Sequence, residues 1–335
     1  MKNLVYFCVF YNKDYFKLLN LLLTSLKFFS STDNFDLLIL TNENMVDLVK
    51  ELQTKLKLSI FIKTFNFTTI FQSACARLFI FDYEMITIYD KILYIDTDII
   101  IKKDLAKIFD LQIDDKLYGI ESGTINSPSF GNQFFDFDKI DRSIKGINSG
   151  TLLFNNKLCI RDLFCRIIGH INVFTDSKMK IPYCMDQPFI NYHAISSEMY
   201  NNTLLNDYVS LYEDNEIVTN YETSIICHFS FPIGNFGHKF ERMRKFMNEI
   251  LKEEIRTDVD NFNGKKYKWN TGFIEFDNRL VIKTSWGNGN YRILNNDKVM
   301  VSWNNFDHVL KFNEDYKEFI SVRMNDFEVV FGMMV

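Results

Sequence analysis

The order of the first hundred residues restricts this chain more than any other feature: apolar, strand-like runs alternate with stretches of helical spacing. "LVYFCVF" (Leu4–Phe10) is continuously apolar, as a strand buried on both faces is. Over Tyr15–Phe29 the apolar residues Leu18, Leu22, Leu26 and Phe29 recur at helical spacing, with Asp14 as the expected N-cap. "DLLILT" (Asp36–Thr41) reads as a second buried strand, "NMVDLVKELQTKL" as an amphipathic helix and "LSIFIKTF" as a third strand. "SACARLFIFDYEMI" then reads as a helix carrying Arg77, and "ILYIDTDIII" (Ile92–Ile101) as the next strand. Such an order implies an α/β protein with a mostly parallel sheet covered by helices.

Charge interrupts the last of these strands. Asp96 and Asp98 stand in an otherwise apolar run with Thr97 between them. Residues i and i+2 of a strand face the same way, so the spacing presents two carboxylates together and turns Thr97 opposite. At the C-terminal end of a parallel strand they would reach the crevice where open α/β sheets bind ligands. Like charges so close raise each other's pKa, and a divalent cation removes the conflict. Oxygen ligands suit Mn²⁺ or Mg²⁺, the latter usually held by one or two carboxylates plus substrate phosphates. Taken alone, the triplet is a weak sign of chemistry and reads more readily as a solvated strand end with one Asp capping a helix.

Further along, residues 121–146 are polar, turn-rich and aromatic, the texture of a long surface loop or lid. "GINSGTLLFN" (Gly146–Asn155) reads as a turn leading into a buried strand. A helix over roughly Lys239–Ile255 places Phe240, Met243, Phe246 and Ile250 on one face and closes a first domain, residues 1–257. Beyond residue 258 the texture changes. Trp269, Trp286 and Trp303, the chain's three tryptophans, recur at a spacing of 17 residues, each followed by a polar turn and strand-like alternation. Self-similarity of this kind suggests repeated β-hairpins, and residues 258–335 read as about eight short antiparallel strands, a small meander or barrel. The tryptophans either build its small core or stack on sugar rings.

Composition removes other classes. With 47% hydrophobic and 24% charged residues, 335 residues form a globular protein of one large and one small domain. A formal net charge of −5 argues against a nucleic-acid surface. The six cysteines form no CxxC or zinc-type cluster and read as reduced thiols of a reducing compartment. The N-terminus shows no cleavable signal pattern, and the apolar run Leu18–Leu26 is too short to span a bilayer. The expectation is a cytoplasmic protein (host cytoplasm for a viral source), peripheral to membranes at most, with a homodimer among its states.

Six segments in order sharpen this reading. "KILYIDTDIIIKKDLAKIFD" resembles the metal-binding segment of glycosyltransferase family 8, the family of glycogenin and of lipopolysaccharide galactosyl- and glucosyltransferases. "VFYNKDYF" is similar to that family's first-strand loop, "ACARLFIFD" to its helix with a basic residue before Leu, and "INSGTLLFNN" to its Asn-Ala/Ser-Gly strand. "MDQPFIN" is similar to its Asp-Gln helix start, and "CHFSFP" to its metal-binding His segment. The resemblance covers roughly residues 1–245 and implies a GT-A type, Rossmann-like α/β fold, helices on both faces of the sheet, with the small antiparallel β domain appended.

By this resemblance Asp96, Asp98 and His228 ligate Mn²⁺, with Mg²⁺ as the alternative; on its own His228 reads as a hydrogen-bonded core histidine. Tyr11, Asn12 and Tyr15 touch the nucleotide, with Tyr11 stacked on uracil; by themselves they are turn and cap residues. Arg77 holds the donor sugar or its phosphate, where it otherwise reads as a surface ion pair. Thr97, Asn148 and Ser149 line the donor. Asp186 bonds sugar hydroxyls and Gln187 lies beside the anomeric carbon, although "DQP" is also a plain helix start with Asp186 as N-cap. Two positions depart from the family pattern. Glu121 stands where an Asp is usual in the sugar pocket. The family lysine is matched only by Lys239, displaced by several residues, with Gly234 or Gly237 before it and His238 beside it.

The expected activity is Mn²⁺-dependent retaining transfer of a hexose (glucose or galactose, N-acetylglucosamine third) from a UDP-sugar to a glycan, lipid-linked or protein acceptor, a tyrosine of the chain itself included. An amide at Gln187 is a poor nucleophile, which points to front-face substitution over a covalent route through Asp186. The rival reading is a glycan-binding protein with a weakened transferase domain. A sugar-phosphate nucleotidyltransferase would need a glycine-rich loop, and "FYNKDYFK" has no glycine.

Overall fold

A computed structural model of the chain describes residues 2–213, 216–217, 222–230, 236–253, 261–277 and 280–335. It divides into two compact units, residues 1–240 and 241–335. The expected boundary between residues 257 and 258 lies outside the described residues, as does Gly234.

The first unit runs β1 (Asn3–Val9), α1 (Tyr15–Phe29), β2 (Phe35–Thr41), α2 (Val46–Leu56), β3 (Ile60–Thr64), α3 (Ile70–Cys75), β4 (Lys91–Ile95), β5 (Ile99–Ile101), α4 (Ala106–Phe109), β6 (Leu117–Thr124), β7 (Lys145–Asn155), α5 (Leu158–Asp176), α6 (Gln187–Ser196), β8 (Tyr200–Asn201), β9 (Val209–Glu213), β10 (Glu216–Ile217) and β11 (Ile226–His228). The division between the units falls within α7 (Phe236–Leu251). Seven strands form one sheet in the order β3-β2-β1-β4-β7-β6-β8. β1, β2, β3 and β4 are mutually parallel, and β7 runs antiparallel to both β4 and β6. A second sheet has the order β10-β9-β11-β5.

The apolar runs explain this arrangement. Leu4, Val5, Tyr6 and Phe7 of β1 are fully buried, as both faces of a central strand require. The leucine stripe of α1 is buried from Leu18 to Leu26. α2 ends where Lys57 turns left-handed, at φ 49°. Phe154, Phe164, Phe189 and Ile190 continue the core around α5 and α6.

Several expectations change. "ILYIDTDIII" is two strands: β4 stops at Ile95, and β5 begins at Ile99 in the other sheet. Asp14 occupies the N-cap position of α1 without bonding its end; its carboxylate pairs with Lys17. The helix expected around Arg77 is α-helical only to Cys75, behind a Thr69–Gln72 capping box, and continues as a 3₁₀ turn over Ala76–Asp82. "NSG" is not a turn, since Asn148–Gly150 lie inside β7. The loop expected over residues 121–146 is shorter, since Glu121–Thr124 belong to β6 and Lys145 and Gly146 to β7; the connection between them is anchored by Phe130, which is buried. α7 begins at Phe236, three residues earlier than expected, and the expected end at Ile255 lies outside the described residues.

The second unit contains β12 (Lys266–Trp269), β13 (Gly272–Asp277), β14 (Val281–Thr284), β15 (Gly287–Asn295), β16 (Lys298–Trp303), β17 (Phe306–Phe312), β18 (Glu318–Arg323) and β19 (Val329–Met334). Each pairs antiparallel with the next, and β12 closes on β19. Eight strands enclose just enough room for side chains. Here Phe262, Tyr267, Ile274, Phe276, Leu310 and Phe312 fill it. Gly332 makes space for Phe319, whose ring would lie 2.1 Å from a Cβ at that position. The regular tryptophan spacing hides a difference in register. Trp269 and Trp303 end strands, whereas Trp286 sits in the turn between Thr284 and Gly287. Trp269 is therefore core and Trp286 is exposed.

Candidate active site

Asp96 and Asp98 lie in the link between the two sheets. β11 pairs antiparallel with β5, and its register sets His228 opposite Ile99. This brings an imidazole from far along the chain to the aspartates. One ligand atom from each of Asp96, Asp98 and His228 falls within 4.8 Å of the others. Nε2 of His228 lies 3.3 Å from Oδ1 of Asp98. That oxygen is buried and, this imidazole contact of poor hydrogen-bond geometry apart, has no partner among the described residues. Such an orphan is costly unless another group completes it. β7 passes behind the cluster at Gly150, where a Cβ would meet His228 Cε1 at 2.2 Å and Asp96 Oδ2 at 2.9 Å. Two carboxylates, an imidazole, an unsatisfied oxygen and a position open only to glycine fit a divalent cation.

Arg77 ties this cluster to a third carboxylate. Its guanidinium is buried, 3.4 Å from Asp96 Oδ1 and 3.0 Å from Asp186 Oδ2. It donates to the Ser149 carbonyl and lies over the Tyr94 ring at 4.6 Å. The Tyr94 hydroxyl in turn donates to Asp96. Asp186 is 2% exposed and precedes α6 without capping it. Burial pushes its carboxyl up, Arg77 offsets part of that and Asp96 adds to it, leaving it at about 6. Met185, just before it, holds a left-handed backbone at φ 52°, the kind of strain that clusters at functional sites. Gln187 is held at both ends: its Oε1 accepts from the Ser149 N–H at 3.1 Å and its Nε2 donates to the Ser129 carbonyl at 3.0 Å. Asn148 Oδ1 accepts from the Gly150 N–H at 2.8 Å.

Lys239, on α7, donates to Asp98 Oδ2. Burial favours protonated Asp98, but Lys239 and His228 outweigh it and hold the carboxyl well below the ordinary range. Burial equally opposes charge on Lys239, and Asp98 overrides it, so its pKa is raised.

Beyond the carboxyl ends of β1, β2 and β3 lies an open cleft of about 740 Å³, lined by Tyr11, Asn42, Asn44, Phe65 and Phe67 among others. Tyr11 is 56% exposed, at φ 63°. Its N–H donates to Asn42 Oδ1 at 3.2 Å, and Asn42 Nδ2 donates to the carbonyls of Phe65 and Phe67. Asn12 Oδ1 accepts from the Asp14 N–H at 2.9 Å, and the Tyr15 ring meets Phe236 edge-on at 6.0 Å.

The structure thus gathers Arg77, Asp96, Asp98, Asn148, Ser149, Asp186, Gln187, His228 and Lys239, with Tyr15 within electrostatic reach of Lys239 and the aspartates, and places Tyr11 on the cleft beyond β1–β3. Thr97 is buried between the aspartates. Glu121 is exposed on β6, where its backbone N–H donates to Asn206, and its side chain enters none of these networks. Four positions were missed in the sequence: Asn42, Tyr94, Gly150 and Asn191. Asn191 is fully buried and brackets Ile147 through both its amide atoms, at 2.8 and 2.9 Å. Its only sequence signal is its place four residues after Gln187, on the same helix face.

A mostly parallel sheet with an Asp-x-Asp cluster at its strand ends is the arrangement that the resemblance to GT-A type glycosyltransferases implies. The sequence model for glycosyl transferase family 8 matches residues 8–229, more than half of the chain, and the chain belongs to that family. Among solved structures the fold is similar to the galactosyltransferase LgtC in complex with donor and acceptor sugar analogues, at 15% identity and TM-score 0.52, covering 77% of this chain and 98% of that one. Mouse xyloside xylosyltransferase 1, apo form, matches at 14% identity and TM-score 0.49, covering 70% of this chain and 100% of that one. The bifunctional glycosyltransferase WbbM, apo, matches at 16% and 0.49 over 75% of this chain, which spans about half (51%) of WbbM. Among curated proteins none matches this sequence. Among the described residues no helix is long and apolar enough to cross a membrane.

Proposed function

We propose that the chain is a metal-dependent retaining glycosyltransferase that moves a hexose, glucose or galactose first, from a UDP-sugar to a glycan, lipid-linked or protein acceptor. The observation that carries this reading is the convergence of Asp96, Asp98 and His228 around an unsatisfied buried oxygen. Those three residues would hold Mn²⁺, with Mg²⁺ as the alternative. A bound divalent cation supplies Lewis-acid stabilisation of the charge that grows on a departing diphosphate. Tyr11 offers an exposed ring for the base, with Asn12 and Tyr15 toward the ribose. Lys239 pairs with Asp98 in the free protein and, released from it, clamps the diphosphate electrostatically. Arg77 orients Asp96 and Asp186 for the donor. Asn148 and Ser149 line the sugar.

The side chains beside the anomeric centre favour front-face substitution. Both ends of the Gln187 amide are engaged, and Asp186 is buried against Arg77. Neither is a free nucleophile; Asp186 serves better as an acceptor for sugar hydroxyls. A screen of UDP-sugars with Mn²⁺ should find one turned over. Asp96→Ala should lower that rate by about a hundredfold or more and weaken Mn²⁺ binding measured by electron paramagnetic resonance. Full activity in Asp96→Ala would remove the metal-site argument. A glycosyl adduct on Asp186, seen by mass spectrometry, would replace front-face substitution with the covalent route.

A further inference from the structure

One end of the barrel has an aromatic surface. The turns after β14 and β16 and the start of β17 border a cleft of about 300 Å³, with Trp286, Trp303, Phe306, Arg323 and Glu328 on its walls. The barrel core is complete without two of these rings: Trp286 and Phe306 are each 42% exposed, whereas Trp269 below is 2% exposed. Trp269 meets Trp286 edge-on at 5.9 Å and Trp303 at 4.9 Å, and Trp303 stacks on His308 at 4.8 Å. Exposed indole next to a finished core forgoes burial, and grouped exposed rings mark a binding surface.

The rings are also held in place. The turn that carries Trp286 is fixed: its backbone N–H donates to Thr284 Oγ1 at 3.1 Å, and its backbone carbonyl accepts from Asn304 Nδ2 at 3.0 Å. Gly272 leaves room for the indole, since a Cβ there would lie 2.9 Å from Trp286 Cζ2. Fixed aromatic faces bind with little loss of side-chain freedom. The opposite wall is polar and equally fixed. The Arg323 guanidinium bonds Asp326 at 2.6 Å and Glu328 at 2.7 Å, and lies over the Phe306 ring at 5.6 Å. Arg323 and Glu328 both remain partly exposed.

We infer that this cleft is a non-catalytic carbohydrate site that takes a neutral pyranose unit of a glycan. A pyranose has an apolar C–H face and a rim of hydroxyls that both donate and accept. The indole faces match the first. The Arg323–Glu328 fork and Asn304, planar groups offering donors and acceptors, match the second. A proline-rich peptide would use the rings, but its prolines have no backbone N–H to donate to the exposed Glu328 carboxylate. The site holds a glycan on the barrel whether or not the first unit transfers sugar.

Saturation-transfer NMR on the full chain, free of metal and nucleotide, tests this with lactose, maltose, cellobiose and N,N′-diacetylchitobiose as probes. At least one should receive saturation at its ring C–H protons, with a Kd of roughly millimolar order. Trp286→Ala and Phe306→Ala, both at exposed rings, should each weaken that binding by about tenfold, which is ~1.4 kcal/mol. Trp286→Tyr should keep most of it, and Asp96→Ala should leave it unchanged. No response to any of the four sugars overturns the proposal. So does a response that survives Trp286→Ala but vanishes in Asp96→Ala, which would place the sugar at the transferase site. A response to a polyproline peptide alone overturns it as well.

Discussion

At the scale of single residues, Arg77 does more for this site than its position suggests. An arginine before Leu on a helix reads as a surface pair. Instead it is buried against Asp186 and beside the partly exposed Asp96, and its loss would strand the Asp186 carboxylate out of water. Breaking a buried pair by removing one partner costs far more than the pair contributes, because the orphaned charge stays buried. Arg77→Met should therefore destabilise the first unit by about 3–5 kcal/mol in urea unfolding. Asp14→Ala, which removes an exposed pair with Lys17, should cost about 0.5 kcal/mol or less. Equal losses in the two variants would show that the guanidinium is not structural. Legibility at this scale followed chemistry. Two carboxylates in an apolar run announce themselves. Asn42, Tyr94 and Asn191 do not, because each engages a partner that the fold brings from elsewhere in the chain: Phe65, Arg77 and Ile147.

At the scale of elements, periodicity carried the strands and most helices, and failed where geometry changes within a run. The apolar stretch around Asp96 has no sequence mark for the passage from one sheet to the other. The 17-residue tryptophan spacing is similarly silent on register. It does not reveal that Trp286 sits in a turn while Trp269 and Trp303 end strands. β17 makes a testable contribution through His308, which is buried beneath Trp303 with Nδ1 3.0 Å from Ser321 Oγ. Burial pushes its pKa down to about 4; Arg323 adds to this, while Asp326 and Asp307 oppose it. The unfolded chain, with an ordinary histidine near 6.5, binds the proton first as pH falls. Barrel stability is thus full above about pH 6.5 and declines toward pH 4, by about 3 kcal/mol in all. His308→Gln should flatten the barrel's stability over that interval, measured by denaturant unfolding at several pH values. An unchanged slope would mean that His308 already titrates normally in the folded state.

At the scale of the whole molecule, a barrel of short alternating strands has a different sequence rhythm from an α/β sheet, although that rhythm changes near residue 258 and the compact units divide between residues 240 and 241. Two units with separate cores are expected to unfold as two cooperative transitions, and this chain labels them unequally. All three tryptophans lie in the barrel, so tryptophan fluorescence reports the second unit alone. Helices α1 to α6 lie entirely in the first unit, so helical circular dichroism reports mainly that one. Anything that binds only the folded first unit stabilises it by mass action, about 2.7 kcal/mol at a hundred times Kd. Mn²⁺ with UDP should therefore raise the midpoint followed by circular dichroism at 222 nm (roughly where helices absorb) and leave the fluorescence midpoint where it was. Asp96→Ala should abolish the first shift without moving the second. A fluorescence midpoint that rises together with the helical one would mean that the two units unfold as a single cooperative body, and the barrel's stability would then belong to the nucleotide site as well.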